Sequence, residues 1–158
     1  MLRFRDAAVT DPDSRRLLGD YFAERAAGFP PEQGEYRPTW PDDAQFTPPA
    51  GVFLLVLDDE GRAVGCGGVR RIEPSAEGRV RFEVKHLWLS PEGRGRGEGR
   101  RLLRELERRA VEYGAEEAVL DTNASLEAAG GLYRSNGYVD IEPYNANPNA
   151  TNWYGKRL

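Results

Sequence analysis

Cysteine and histidine are almost missing from this chain, with Cys66 and His86 as the sole examples. One cysteine excludes an intrachain disulfide and any multi-cysteine zinc site. One histidine removes most other ligand sets, so no metal is expected. Lysine is nearly missing too: Lys85 and Lys156 stand alone, and 20 of the 22 basic residues are arginine, a bias that GC-rich coding produces without functional demand. No long apolar run exists. The longest, Val52 to Leu57, falls far short of the roughly 20 residues of a spanning helix, and Met1 to Asp6 lacks the apolar core of a signal peptide. No membrane partner is therefore expected, and a cytoplasmic location follows. Nor is there an excess of positive charge. The net charge of -4 argues against a nucleic-acid partner and for a small substrate.

What is present describes one globular domain over residues 1–158. The hydrophobic fraction of 39% suffices for a core, and the length is too short for two ordinary domains. Leu2 to Ala8 alternates like a strand. Asp11-Pro12-Asp13-Ser14 then opens a helix over Arg15 to Ala27. From Gly28 to Gly51 six prolines (30, 31, 38, 41, 48 and 49) forbid continuous helix or central strand, leaving a long irregular segment that carries Tyr36, Trp40 and Phe46. Such a segment reads equally as a binding wall and as a loop anchored by its aromatics.

Val52–Leu57 and Ala63–Ile72 flank an acidic turn and read as an antiparallel hairpin, followed by a third strand over Val80–Leu89. Gly99–Tyr113 has an apolar helical stripe of Leu102, Leu103, Leu106, Ala110 and Val111, and Gly114 ends it. Ala118–Thr122 is a short strand. Ser125 is a suitable N-cap for a helix over Leu126–Asn136, and Asn152–Arg157 closes the sheet. The order predicts a mixed α/β fold. Cys66 is expected in the core and His86 within the sheet.

Between the strand ending at Leu89 and the helix beginning at Gly99 lies Ser90-Pro91-Glu92-Gly93-Arg94-Gly95-Arg96-Gly97-Glu98-Gly99-Arg100, with four glycines in seven positions. Backbone N–H groups and the positive end of a helix dipole there favour an anion, and glycine permits close approach. Arg94, Arg96 and Arg100 add charge-assisted bonds. Two nucleotide signatures fail on it. A Walker A loop requires a lysine that is missing, and a dinucleotide loop requires a third glycine where Arg100 or Glu98 stands.

The segment resembles the coenzyme A loop of the GNAT superfamily of N-acetyltransferases, Q/R-x-x-G-x-G/A, with Arg94, Gly97 and Gly99 in register. Two more blocks are similar in order and spacing: Glu83 to Pro91 before the loop, and Leu132-Tyr133-Arg134-Ser135-Asn136-Gly137-Tyr138 after it. The resemblance implies a mostly antiparallel sheet of about six or seven strands, flanked by about four helices and splayed between its fourth and fifth strands. It also implies acetyl-coenzyme A as co-substrate, and direct transfer to a primary amine of a small molecule or peptide. A homodimer is left open.

By the same resemblance, the backbone of Leu87, Trp88 and Leu89 pairs with the pantetheine arm, and the loop residues Arg94, Gly95, Arg96, Gly97, Glu98, Gly99 and Arg100 surround the pyrophosphate. Asn123 bonds the pantetheine amides or caps a turn. Glu83 is a general base for the amine, directly or through water, or else an ion-pair partner of Lys85 or Arg81. Tyr133 protonates or orients the departing thiolate. Two other classes remain open: a sensor that binds acyl-coenzyme A without turnover, and a nicotinamide-dependent oxidoreductase.

Overall fold

The computed structural model describes residues 2–158. Its elements are β1 (Arg3–Asp6), α1 (Pro12–Gly28), β2 (Gly51–Leu57), β3 (Ala63–Ile72), β4 (Arg81–Leu89), α2 (Glu98–Glu112), β5 (Glu117–Thr122), α3 (Glu127–Ser135), β6 (Val139–Asp140) and β7 (Asn152–Arg157). They build one seven-stranded sheet in the order β1-β2-β3-β4-β5-β7-β6. Every neighbouring pair is antiparallel except β4 and β5, which run parallel with α2 as their crossover.

The continuous apolar run in β2 has a simple cause. Alternate side chains of a strand face opposite sides, and here both sides are covered. Val52, Leu54 and Val56 pack with Leu102, Leu103, Leu106 and Ala110 of α2, whereas Val111, expected on the same stripe, is exposed. Phe53 and Leu55 pack with Leu17, Leu18 and Phe22 of α1. The start of α1 is fixed by Asp11, whose side chain accepts from the Asp13 N–H at 2.9 Å, with Pro12 in the first turn, where its missing N–H costs nothing.

The proline-rich segment forms two single-turn 3-10 stretches, Pro31–Gln33 and Asp43–Phe46. Phe46 plugs the core edge-on against Phe53, at 6.3 Å between ring centroids. Gly68 of β3 makes room for it, since a Cβ there would lie 2.6 Å from the Phe46 ring. Three α-helices flank the sheet among the described residues, not four, because prolines between residues 28 and 51 deny a further helix its N–H donors.

At the start of α3 the expected Ser125 cap is corrected. Leu126 occupies the cap position without a side-chain bond, and Ser125 instead donates its N–H to Asn123 Oδ1 at 3.0 Å. Strand β6 has two residues, too few for any periodicity to announce it.

Two irregularities shape the centre of the sheet. Parallel pairing of β4 with β5 covers Arg81–Glu117, Phe82–Ala118 and Glu83–Val119 and then stops, so the strands part beyond Glu83. On its other edge β4 is bulged against β3: Trp88 faces Cys66 and Lys85 faces Gly68, which sets His86 and Leu87 against Gly67 alone. His86 takes up the extra residue at φ +57, in the left-handed region that a residue with a Cβ rarely occupies.

Candidate active site

Where β4 and β5 part, a cavity of about 970 Å³ opens. Val84 to Leu89 of β4 form one wall, Asp121 and Thr122 of β5 with Leu126 and, on α3, Ala128, Ala129, Leu132 and Tyr133 another, and α1 with the proline-rich segment a third. Of the residues expected to hold coenzyme, Leu87, Trp88, Leu89, Arg94, Gly99 and Tyr133 line it. The Tyr133 hydroxyl makes no hydrogen bond to the described residues, and burial raises its pKa, keeping it protonated.

The glycine loop lies at one end of this cleft. Gly95 and Gly97 have φ +85 and +73, conformations that disfavour any side chain, and a Cβ on either would meet no protein atom within 4 Å. Gly97 stands at the cap position of α2 without a side-chain cap bond, which leaves N–H groups of the first turn uncapped among the described residues. Arg96 and Arg100 are exposed beside it. Glu98 turns away. Its buried carboxylate accepts from Arg101 at 2.6 Å, so Glu98 offers the loop its backbone N–H and not its side chain.

Arg94 is anchored at three points. Its Nε donates to the Leu89 carbonyl at 2.8 Å, its other arm pairs with Glu24 of α1 at 2.8 and 2.9 Å, and the guanidinium stacks over Trp88. Glu24 was not foreseen, because the partners are 70 residues apart and no local pattern connects them.

Glu83 is 1% exposed and does not line the cavity. Arg70 donates to its Oε1 at 3.0 and 2.9 Å, and Tyr144 donates to its Oε2 at 2.6 Å. The expected alternatives, pairing with Lys85 or Arg81 on an open face, are replaced by this enclosed pair. Arg70 also bonds Gln45 of the proline-rich segment. Asn123 is likewise enclosed, donating to Gln33 Oε1 at 2.6 Å and to the Asn149 carbonyl at 3.1 Å. It ties two loops to the end of β5.

The remaining lining joins Lys85 and Asp121, which no sequence motif connects, to the aromatics of the proline-rich segment, which the sequence offered as a binding wall. Lys85 and Asp121 face each other across the split at 4.0 Å, and Asp121 accepts from Asn145 at 2.7 Å and Asn147 at 3.2 Å. Tyr36, Trp40 and Phe46 of the proline-rich segment join Tyr21 and Phe22 of α1 in an aromatic wall. His86 sits among them, its ring 6.1 Å from Tyr21, 5.7 Å from Phe22 and 6.0 Å from Phe46. Burial, and then the charges of Lys85 and Arg70, push its pKa down to about 3, so the imidazole is neutral. Cys66 is enclosed behind this wall as a thiol, its pKa pushed up to about 12 by burial, and donates to the His86 carbonyl at 3.4 Å. Among the described residues no cluster of acidic, histidine and cysteine side chains could hold a metal ion, and no helix is long and apolar enough to cross a membrane.

Comparison with known proteins agrees with this architecture. An uncharacterised N-acetyltransferase of Schizosaccharomyces pombe is 36% identical over 104 residues, 66% of this chain and 61% of that protein. An IAA acetyltransferase of Azospirillum brasilense is 31% identical over 102 residues, 65% of this chain and 64% of that one. The chain thus matches somewhat less than two thirds of the length of these curated relatives.

Among solved structures, a Klebsiella pneumoniae protein described as an acyl-CoA N-acyltransferase superposes with TM-score 0.76 at 28% identity, covering 100% of this chain and 98% of that one. A Sinorhizobium meliloti phosphinothricin acetyltransferase in complex with AcCoA superposes with TM-score 0.67 at 20% identity, covering 99% and 88%. The splayed parallel pair, the glycine loop and the aligned blocks agree with a match of the acetyltransferase (GNAT) family to residues 15–138, and the chain belongs to that family.

Proposed function

We propose that the protein transfers the acetyl group of acetyl-coenzyme A to a primary amine by direct attack in a ternary complex. The carrying observation is the split itself: beyond Glu83 the backbone of β4 has no partner on β5, and this free edge lies between the glycine loop and Tyr133. An extended pantetheine chain can add to such an edge as another strand would.

Arg94, Gly95, Arg96, Gly97, Gly99 and Arg100 hold the pyrophosphate at the start of α2, where the helix dipole and unclaimed N–H groups favour negative charge. Leu87, Trp88 and Leu89 hold the pantetheine arm. One of their N–H groups polarises the thioester carbonyl, stabilising the oxygen as it gains charge. The amine nitrogen then attacks the carbonyl carbon, the C–S bond breaks, and the thiolate takes a proton from the Tyr133 hydroxyl. The proton shed by nitrogen leaves through water and the tyrosine is restored. Glu83 fits this scheme as the anchor that fixes Arg70 and Tyr144, not as the group that meets the amine.

Thiol release from acetyl-coenzyme A over a panel of primary amines tests the proposal, with titrations of acetyl-coenzyme A and NADH alongside. Release with at least one amine is expected. Tight coenzyme binding without release on any amine would favour a sensor, and preference for NADH would overturn the reading altogether.

A further inference from the structure

The aromatic half of the cavity has chemistry of its own. Tyr21, Phe22, Tyr36, Trp40 and Phe46 supply flat apolar surface there, and Phe22 meets Trp40 edge-on at 5.1 Å. In their midst His86 is held at φ +57. Its imidazole makes no hydrogen bond to any described residue, although it carries one donor and one acceptor nitrogen. Left-handed backbone at a residue with a Cβ is costly and concentrates at functional positions. The bulge that imposes it places His86 directly before Leu87, at the proposed thioester end of the coenzyme edge.

Charge on this wall is already spoken for. Arg70 is engaged by Glu83 and Gln45, Lys85 stands near Asp121, and Arg94 is paired with Glu24. Arg25 lies over the Tyr36 ring at 5.0 Å. A substrate carboxylate would find these cations occupied, and a polyamine would find the lining carboxylates Glu24 and Asp121 already paired with Arg94 and Lys85. Besides the Tyr36 hydroxyl and the Trp40 indole N–H, the wall offers apolar contact and one neutral imidazole that can accept a hydrogen bond.

Resting on the acetyltransfer proposed above, we infer that His86 accepts a hydrogen bond from the incoming amine and that the aromatic wall selects an amine carried on a flat, uncharged apolar body. The same surroundings that keep the imidazole neutral also favour the neutral, nucleophilic form of the amine.

The test compares 2-phenylethylamine with phenylalanine, which adds a carboxylate, and with spermidine, which adds positive charge. Calorimetric binding to the protein saturated with coenzyme A reads acceptor recognition whether or not turnover occurs, so its failure is separable from failure of acetyl transfer. Phenylethylamine is expected to bind best. His86→Gly, which tolerates positive φ, is expected to weaken that binding up to about tenfold, the worth of one hydrogen bond. Acetyl-coenzyme A affinity should be unchanged, and added imidazole should restore part of the loss. Better binding of spermidine or phenylalanine by the unaltered protein would overturn the inference. So would unchanged phenylethylamine binding in His86→Gly, a loss that imidazole does not relieve, or an equal loss of coenzyme affinity.

Discussion

The Tyr144 hydroxyl donates to Glu83 Oε2 at 2.6 Å, while Arg70 occupies Oε1. A carboxylate that is 1% exposed and bound on both oxygens has its charge satisfied within the protein, and removing a partner strands the other charge. Glu83→Ala should therefore cost about 3–5 kcal/mol of stability, leaving Arg70 unpaired, and Tyr144→Phe about 1–3 kcal/mol. Denaturant unfolding measures both. Glu83→Gln, which keeps the shape, is expected to retain turnover within about tenfold. A loss nearer the 10²–10⁴ of a missing general base, with the fold intact, would return Glu83 to catalysis.

Tyr133 carries the opposite expectation. Its hydroxyl has no partner among the described residues, and burial keeps it protonated. Tyr133→Phe removes a proton donor and little packing. The expected result is a kcat lower by about 10²–10⁴ with acetyl-coenzyme A binding little changed, read from steady-state rates and a separate coenzyme titration.

The parts of this molecule that were legible in its sequence are local. The stripe of α2, the hairpin of β2 and β3, and the glycine loop each follow from residues a few positions apart. The blocks that hold Tyr133 and the loop are contiguous in the sequence as well, and Arg94, Gly99 and Tyr133 line the cleft. The Arg70–Glu83–Tyr144 set was not, since it joins β3, β4 and the loop before β7 through pairings that exist only after the sheet forms. Nor was the left-handed His86, because the bulge that creates it depends on β3 pairing and leaves no periodic trace in β4. Asn123 was legible in part: it caps the turn after β5 by accepting from the Ser125 N–H, whereas its bonds to Gln33 and Asn149 join segments far apart in the sequence.

The Glu24–Arg94 pair sets up a competition. Both side chains are about half exposed, at 50% and 44%, so the pair is worth only about 0.2–1 kcal/mol. It nevertheless places a carboxylate on the arginine proposed to meet the pyrophosphate. Glu24→Gln should remove that competitor and tighten acetyl-coenzyme A binding by about two- to fivefold. Arg94→Ala should weaken it. Calorimetric titration of the two variants gives the signs directly, and weaker binding in Glu24→Gln would show that Glu24 positions Arg94 for the coenzyme instead.

His86 also predicts how stability depends on pH. Unfolded, its imidazole titrates near the ordinary value of 6.5. Folded, burial and the nearby charges of Lys85 and Arg70 lower the pKa to about 3, with Tyr21, Phe22 and Phe46 packed around the ring. Between these values the unfolded chain binds the extra proton, so stability must fall as pH drops from 6.5 toward 3 and is fully retained above that window. The limiting slope is about 1.4 kcal/mol per pH unit. Because His86 is the only histidine, the part of the window above ordinary carboxylate titration belongs to it almost alone. Denaturant midpoints measured from pH 7 to pH 5 should decline for the unaltered protein and stay nearly level for His86→Asn, which keeps a residue tolerant of positive φ. Equal declines in both would mean that the imidazole is protonated in the folded state and that its aromatic surroundings do not exclude water.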